Sequence, residues 1–103
     1  MADIFSTSGR KLATMDESGE FEVCASGSGS LLGRISEASY VYNAHGETVG
    51  SVGSNGYIYK GSSHIGTVQS DGDVYDSKNT RVGKVTGGHI EAAGAALLLL
   101  VMN

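Results

Sequence analysis

The fold is decided by one stretch, YIYKGSSHIGTVQSDG, which covers residues 57–72. From Tyr57 to Lys60 it alternates aromatic, aliphatic, aromatic and polar residues, as a half-buried strand does. A turn at residues 61–63 leads into a second strand over residues 64–69. The Asp-Gly pair at the end supplies the positive φ that a tight turn requires. The stretch therefore predicts two short strands, each followed by a turn.

This unit recurs along the chain. Its second strand carries a branched apolar residue, Gly, a polar residue and another branched apolar residue, and the glycines are Gly33, Gly50, Gly66 and Gly83. They lie 17, 16 and 17 residues apart. Degenerate copies begin near Ile4 and Phe21, and Ala13 replaces the glycine in the first of them. A fixed period of this kind is typical of a repeat architecture.

We therefore predict a single all-β domain over residues 1–103, built as a pseudo-symmetric array of short two-stranded antiparallel units of about 16–17 residues each. The predicted units lie near residues 3–19, 20–39, 40–56, 57–72 and 73–88, and a closing strand with the apolar tail covers residues 89–103. The 16 glycines argue against long helices, and the absence of proline suits backbone N–H groups committed to ladders.

The glycine in the middle of each second strand predicts a β-bulge or a close backbone contact. Val49 and Val52 are three residues apart, so an undistorted strand would point them to opposite faces. We expect a bulge at Gly50 to turn both valines toward the core.

The tail over residues 92–102 is eleven consecutive apolar or glycine residues. A membrane-spanning helix needs about 20, so we expect no membrane span. We expect a buried strand or a short helix in the middle of the array. The alternative is an exposed strip, covered by self-association, because an uncovered leucine run would aggregate.

The sequence resembles the four-fold beta flower proteins of bacteria. The resemblance rests on Tyr-Ile-Tyr, Ile-Gly-Thr-Val, Asp-Gly-Asp-Val-Tyr-Asp and Val-Gly-Lys-Val, closed by Gly-Ala-Ala-Leu-Leu-Leu-Leu, and it covers roughly residues 20 to 102. It implies two-stranded petals around a central axis and no particular biochemical activity. No functional residue is carried over from it.

Charge and cysteine content limit the function classes. The net charge is −4 and the seven Lys and Arg are not clustered, so nucleic acid is not expected as a partner. The first residues lack the basic region and apolar stretch of a signal peptide, and Cys24 cannot form an internal disulfide. We therefore expect a cytoplasmic protein.

No residue set predicts a catalytic, metal or cofactor site. His45, His64 and His89 occupy three different positions of the repeat, whereas a symmetric metal ring would use one position. Asp71, Asp73 and Asp76 resemble a calcium loop, but the glycine at its sixth position and the glutamate at its twelfth are absent. The Gly/Ser stretch over residues 27–33 is one residue too long for a dinucleotide fingerprint. We interpret Cys24, on a predicted strand, as a half-buried structural thiol.

The tyrosines are the candidate interaction residues. All five lie in first strands of units: Tyr40, Tyr42, Tyr57, Tyr59 and Tyr75. They alternate with valine or isoleucine, so they face away from the core if the aliphatic residues face it. Tyrosine suits interfaces because it joins a large apolar ring to one hydrogen-bonding group.

Three functional hypotheses follow. The first is a non-enzymatic structural or protein-interaction module that forms a homo-oligomer through its hairpin edges or leucine tail. The second is a domain that binds a small ligand or carbohydrate on its tyrosine face. The third is a hydrolase that uses Cys24 or a histidine.

Overall fold

The computed structural model describes residues 2–17, 21–36 and 39–101. They form ten strands, a short α-helix and a π-helical segment. The strands are β1 (Ala2–Phe5), β2 (Lys11–Asp16), β3 (Phe21–Ala25), β4 (Leu31–Ser36), β5 (Tyr40–Asn43), β6 (Thr48–Val52), β7 (Tyr57–Lys60), β8 (Ser63–Val68), β9 (Asp73–Asp76) and β10 (Arg81–Gly87). The helix α1 is Ile90–Ala96, and the π segment is Leu97–Val101.

Every strand pairs antiparallel with the next along the chain, and β1 also pairs with β10, so the sheet closes into a barrel. Five hairpins, β1–β2, β3–β4, β5–β6, β7–β8 and β9–β10, form five petals. The turns inside the hairpins lie at one end of the barrel, here called the tip. The connections between hairpins lie at the other end, the mouth. The predicted all-β repeat fold is confirmed.

Each petal contains a β-bulge, but it lies one residue before the position we expected. In the third petal, Val41 pairs with Gly50 and Tyr42 pairs with Thr48, which leaves Val49 as the extra residue. Gly50 and Val52 are then two residues apart on one face and are both buried, whereas Val49 is only half-buried. The bulge therefore places Gly50 at the inward position, while Val49 packs partly against the core and Val52 is buried in it.

The tail fills the barrel as a helix. Residues 92–97 and Leu99 are buried against inward-facing strand residues such as Ile4, Val41 and Ile58. The expected closing strand from His89 is wrong, because helix α1 begins at Ile90. With β1 already paired to β10, no strand edge is left for another strand, and the alanines favour a helix.

The leucines of the π segment each face a different petal. A Cβ added to a repeat glycine would lie less than 3.0 Å from a leucine δ-carbon, and the pairs are Gly83 with Leu97, Gly66 with Leu98, Gly50 with Leu99 and Gly33 with Leu100. In an α-helix, four steps of about 100° bring the fifth side chain past the first. A π-helix, with its i→i+5 hydrogen bonds, rotates less per residue than an α-helix. Successive side chains can therefore contact successive petals.

The mouth turns bring backbone close to backbone. Gly72 has φ of 95°, and a Cβ there would collide with the Val85 carbonyl of the next hairpin. The Gly72 carbonyl accepts the Val85 N–H at 2.8 Å, and Gly56 and Val68 repeat the arrangement at 2.9 Å. These two bonds therefore extend the β9–β10 and β7–β8 ladders by one residue into the mouth turns.

Candidate functional site

The tyrosines lie on the outside of the barrel, as their alternation with aliphatic residues predicts. Val41, Ile58 and Val74 are fully buried between them. Tyr40 and Tyr57 are 53% and 44% exposed and are the exposed large hydrophobic residues of the described chain. The outward side chains of β5 to β8 are here called the Tyr wall: Tyr40, Tyr42, Thr48, Ser51, Tyr57, Tyr59, His64 and Thr67. Tyr75, on β9, borders it.

The Tyr wall is almost free of charge. Strands β5 to β8 contain one charged residue, Lys60, at the tip end of β7. Each of the other six strands carries at least one Asp, Glu, Lys or Arg. On those strands opposite charges form ion pairs, as between Arg34 and Glu22 at 3.3 Å and between Arg81 and Asp73 at 3.2 Å. The outer surface thus divides into an aromatic, hydroxyl-rich side and a charged side.

Two rows of side chains organise the wall. Tyr40 and Tyr59 pair with Ser51 from either side, and Tyr57 and Tyr75 flank Thr67 in the same way. Two strand spacings separate the tyrosines of a row by about 10 Å. A shallow cavity of about 230 Å³ lies beside the first row, against Tyr40 and Ser51. Each row therefore presents two phenol rings with a hydroxyl between them.

His64 joins two of the tyrosines. Its ring centroid lies 5.0 Å from that of Tyr57 and 5.6 Å from that of Tyr59. Its Nε2 atom lies 3.2 Å from Thr67 Oγ1. That distance is within reach of a nucleophile–base pair. Both groups are on the open, convex wall, and a convex surface does not exclude water from a reaction.

The barrel mouth holds a second concave region, which the sequence did not reveal. Two cavities of about 310 and 250 Å³ lie on either side of Glu91 in the first turn of α1. Both are also lined by Ser54, and Gln69 and Ser70 line the larger one. These residues belong to neighbouring connections one repeat apart, and both connections lie beside the first turn of α1.

Contacts of His89 with Glu17 and Phe21 fix the start of the helix at the mouth. The His89 N–H donates to Glu17 Oε2 at 2.5 Å, and the His89 ring stacks on Phe21 with centroids 4.7 Å apart. The pKa of the Glu17 carboxyl is lowered by a hydrogen bond with the chain's amino terminus and, against some desolvation, by the His89 N–H. The negative charge of Glu17 therefore holds the segment that leads into α1.

The other candidate residues are dispersed. His45 is in a tip turn, where its N–H donates to Asn43 Oδ1, whereas His64 is on the wall and His89 is at the mouth. Among the described residues, no group of three or more His, Cys, Asp or Glu could hold a metal ion. Cys24 is a half-buried free thiol on β3.

The aspartates of the calcium-like pattern serve as turn residues. Asp71 Oδ1 accepts the N–H of Asp73 at 3.0 Å. Asp76 Oδ1 accepts the N–H groups of Lys78 and Thr80 at 2.9 and 3.0 Å. Such local bonds from a carboxylate to the backbone are a common way to fix a turn.

The family comparison agrees with the petal count. A family described as 5-fold beta-flower protein matches residues 2–101. The sequence pattern resembled the four-fold relatives, so the beta-flower assignment holds while the order of symmetry is five. No curated protein and no solved structure matches the chain. No helix within the described ranges is both long and apolar enough to cross a membrane.

Proposed function

The chain belongs to the 5-fold beta-flower family, and we propose that it is a non-enzymatic interaction module that associates with further copies of itself through the Tyr wall. One observation carries the proposal. The wall combines exposed tyrosines with a nearly complete absence of charge, on a barrel whose other strands are all charged. Enrichment in Tyr and depletion of charge distinguish the core of a protein interface from ordinary surface.

In this proposal the Tyr wall contacts the second copy, whereas the sequence hypothesis assigned that contact to the hairpin edges or the leucine tail. The closed sheet pairs every strand on both sides, Leu97 and Leu99 are buried within the subunit, and Leu98 and Leu100 are partly buried against the same core. The strand edges are therefore already paired, and most of the leucine tail is in contact with its own barrel. The partly exposed rings of Tyr40 and Tyr57 are free to contact a second copy, and tyrosine is among the residues that contribute most binding energy at interfaces.

Absence of catalysis is part of the proposal. A nucleophile needs a base within hydrogen-bond reach, a group that orients that base and a site sheltered from water. His64 and Thr67 satisfy the first condition, but they stand on the open wall. Hydrolysis of an ester or amide panel that disappears in Cys24→Ser or in His64→Ala would refute this part.

Sedimentation velocity over a range of concentrations tests the proposal. At about 1 M salt, which screens contacts between charged groups, we expect the wild-type chain to form a dimer or larger species, and the Tyr40→Ser/Tyr57→Ser variant to associate at least about tenfold more weakly. Phe5→Ser is the matched control, because Phe5 is a half-buried aromatic on β1, on the opposite side of the barrel. Equal association of all three chains would refute a role for the wall.

The tyrosine rows favour one second candidate, a saccharide. Two rings about 10 Å apart with a hydroxyl between them suit a neutral, polyhydroxylated chain that stacks on both rings. A panel of neutral oligosaccharides, titrated by calorimetry against the wild type and Tyr40→Ser, tests it. Binding that is lost in the variant would support the saccharide, and no binding to any of the panel would reject it.

We also propose the cytoplasm as the compartment. Cys24 is the single cysteine of the chain and is a free, half-buried thiol on β3. Free thiols persist in a reducing environment. Fractionation of cells that express the tagged chain tests this, and recovery outside the cytoplasmic fraction would contradict it.

A further inference from the structure

Charge is distributed unequally between the two ends of the barrel. At the mouth, the described residues include four acids and no Lys or Arg: Asp16, Glu17, Asp71 and Glu91. Glu17 is bonded to the amino terminus and to the His89 N–H, whereas Asp71 and Glu91 are exposed. The described part of the mouth therefore carries an excess of negative charge.

The tip has the opposite composition. Its turns and adjoining strand ends carry five of the seven basic residues, Arg10, Lys11, Lys60, Lys78 and Arg81, against two acids, Glu47 and Asp76. Both acids are engaged within the tip turns: Glu47 Oε1 accepts from Asn43 Nδ2 at 2.9 Å, and Asp76 accepts two backbone N–H groups.

Two of the tip bases are turned toward the side of the barrel. Lys11 lies 3.6 Å from Asp3, and Arg81 lies 3.2 Å from Asp73. Arg10 and Lys78 lie in the turns themselves, where both are exposed. These two residues give the tip its positive face.

We propose that copies of this chain also stack end to end, with the acidic mouth of one barrel on the basic tip of the next. Identical ends repel each other because like charges across an interface cost several kcal/mol, whereas mouth and tip attract. The contact is head to tail, so each copy keeps one mouth and one tip available for further copies. The inference does not rest on the Tyr wall, which lies on the side of the barrel.

Salt gives the first test on the unmodified chain. The Debye length falls from about 30 Å at about 0.01 M salt to about 3 Å at about 1 M, so contacts between charged ends weaken as salt is raised. We expect sedimentation velocity to show larger species at the lower salt concentration than at the higher one. Association through the uncharged wall would persist there. Absence of association at low salt, or association that salt leaves unchanged, would overturn the proposal.

Charge reversal gives the second test. The mouth variant is Ser70→Lys/Glu91→Lys, the tip variant is Arg10→Glu/Lys78→Glu, and Lys84→Glu on the side of the barrel is the control. All three are made in the Tyr40→Ser/Tyr57→Ser background, so that the wall does not contribute to association. We expect each end variant alone to associate at least about tenfold more weakly at low salt, and the control to match the chain with unmodified ends.

An equimolar mixture of the two end variants should recover association, because every contact between unlike copies again joins acid to base. Circular dichroism confirms that each variant is folded before it is compared. End variants that associate like the chain with unmodified ends, or a mixture that fails to recover, would overturn the proposal. Neither result would affect the Tyr wall, which the Tyr40→Ser/Tyr57→Ser variant tests separately.

Discussion

Replacing Gly50 by alanine should destabilise the barrel. Shortening one particular leucine, Leu99, should recover part of the lost stability. A Cβ at Gly50 would lie 2.5 Å from Leu99 Cδ1 and would also collide with the Tyr59 carbonyl. Carbon atoms pack at about 3.5–4.0 Å, so Leu99 has to move by about 1 Å or more. Overpacking of this kind costs about 1–3 kcal/mol.

Leu99→Val removes the δ-carbons that the new methyl group meets. Because it leaves the Tyr59 carbonyl in place, it should recover only part of the loss. The free energies of unfolding of the single and double variants should therefore deviate from additivity by about 0.5 kcal/mol or more, with the double variant more stable than the sum predicts. Urea unfolding of all four chains measures this coupling.

Leu97→Val is the matched control, because Leu97 faces Gly83 in another petal. Gly50→Ala combined with Leu97→Val should be additive within about 0.5 kcal/mol. For a domain of this size, each kcal/mol shifts Tm by about 4 °C or more, so thermal melts give an independent reading. Equal coupling of Gly50→Ala to both leucines would refute the assignment of one leucine to each petal.

Three further predictions concern the same framework. Continuing the order of the π segment, Val101 should face Ala13, so Ala13→Gly/Val101→Leu should unfold at higher urea than either single variant; additive effects would contradict this. Gly72→Ala should lower Tm more than Gly9→Ala, because both have positive φ but only Gly72 lies against a carbonyl; equal shifts would refute it. Because the pKa of Glu17 is lowered, its stabilising contribution should fade as pH falls below 4.5, so Glu17→Gln and wild type should converge in acid urea titrations; a constant difference would contradict this.

The strands and the outward tyrosines could be predicted because both follow from local rules. Alternation around Val41 and Ile58 sets which face is buried, and the Gly period sets where each petal starts. The bulge was predicted one residue late because the glycine marks the inward position. The extra residue is its neighbour Val49, and only the pairing register shows this.

The tail could not be resolved from sequence because it is apolar on every side. A run such as residues 92–101 has no period that separates a helix from a strand, and its helical form follows from closure of the barrel around it. The number of petals was obscured for a related reason: the first petal has Ala13 in place of glycine, which weakens its match to the others.

The mouth could not be predicted because its parts are distant in sequence. His89 and Glu17 are 72 residues apart, and the cavities beside Glu91 are lined by connections from separate petals. No local pattern joins such residues. The polarity of the barrel was hidden in the same way, since acidic and basic residues alternate along the chain and separate only when the connections assemble at two ends.

Sedimentation velocity of the wild-type chain at about 1 M salt separates association through the Tyr wall from contacts between charged ends, because the latter are screened there to within about 3 Å. We expect the sedimentation coefficient of the wild-type chain to rise with concentration, and that of Tyr40→Ser/Tyr57→Ser to stay at the monomer value. A wild-type chain that remains monomeric at every concentration would contradict association through the Tyr wall.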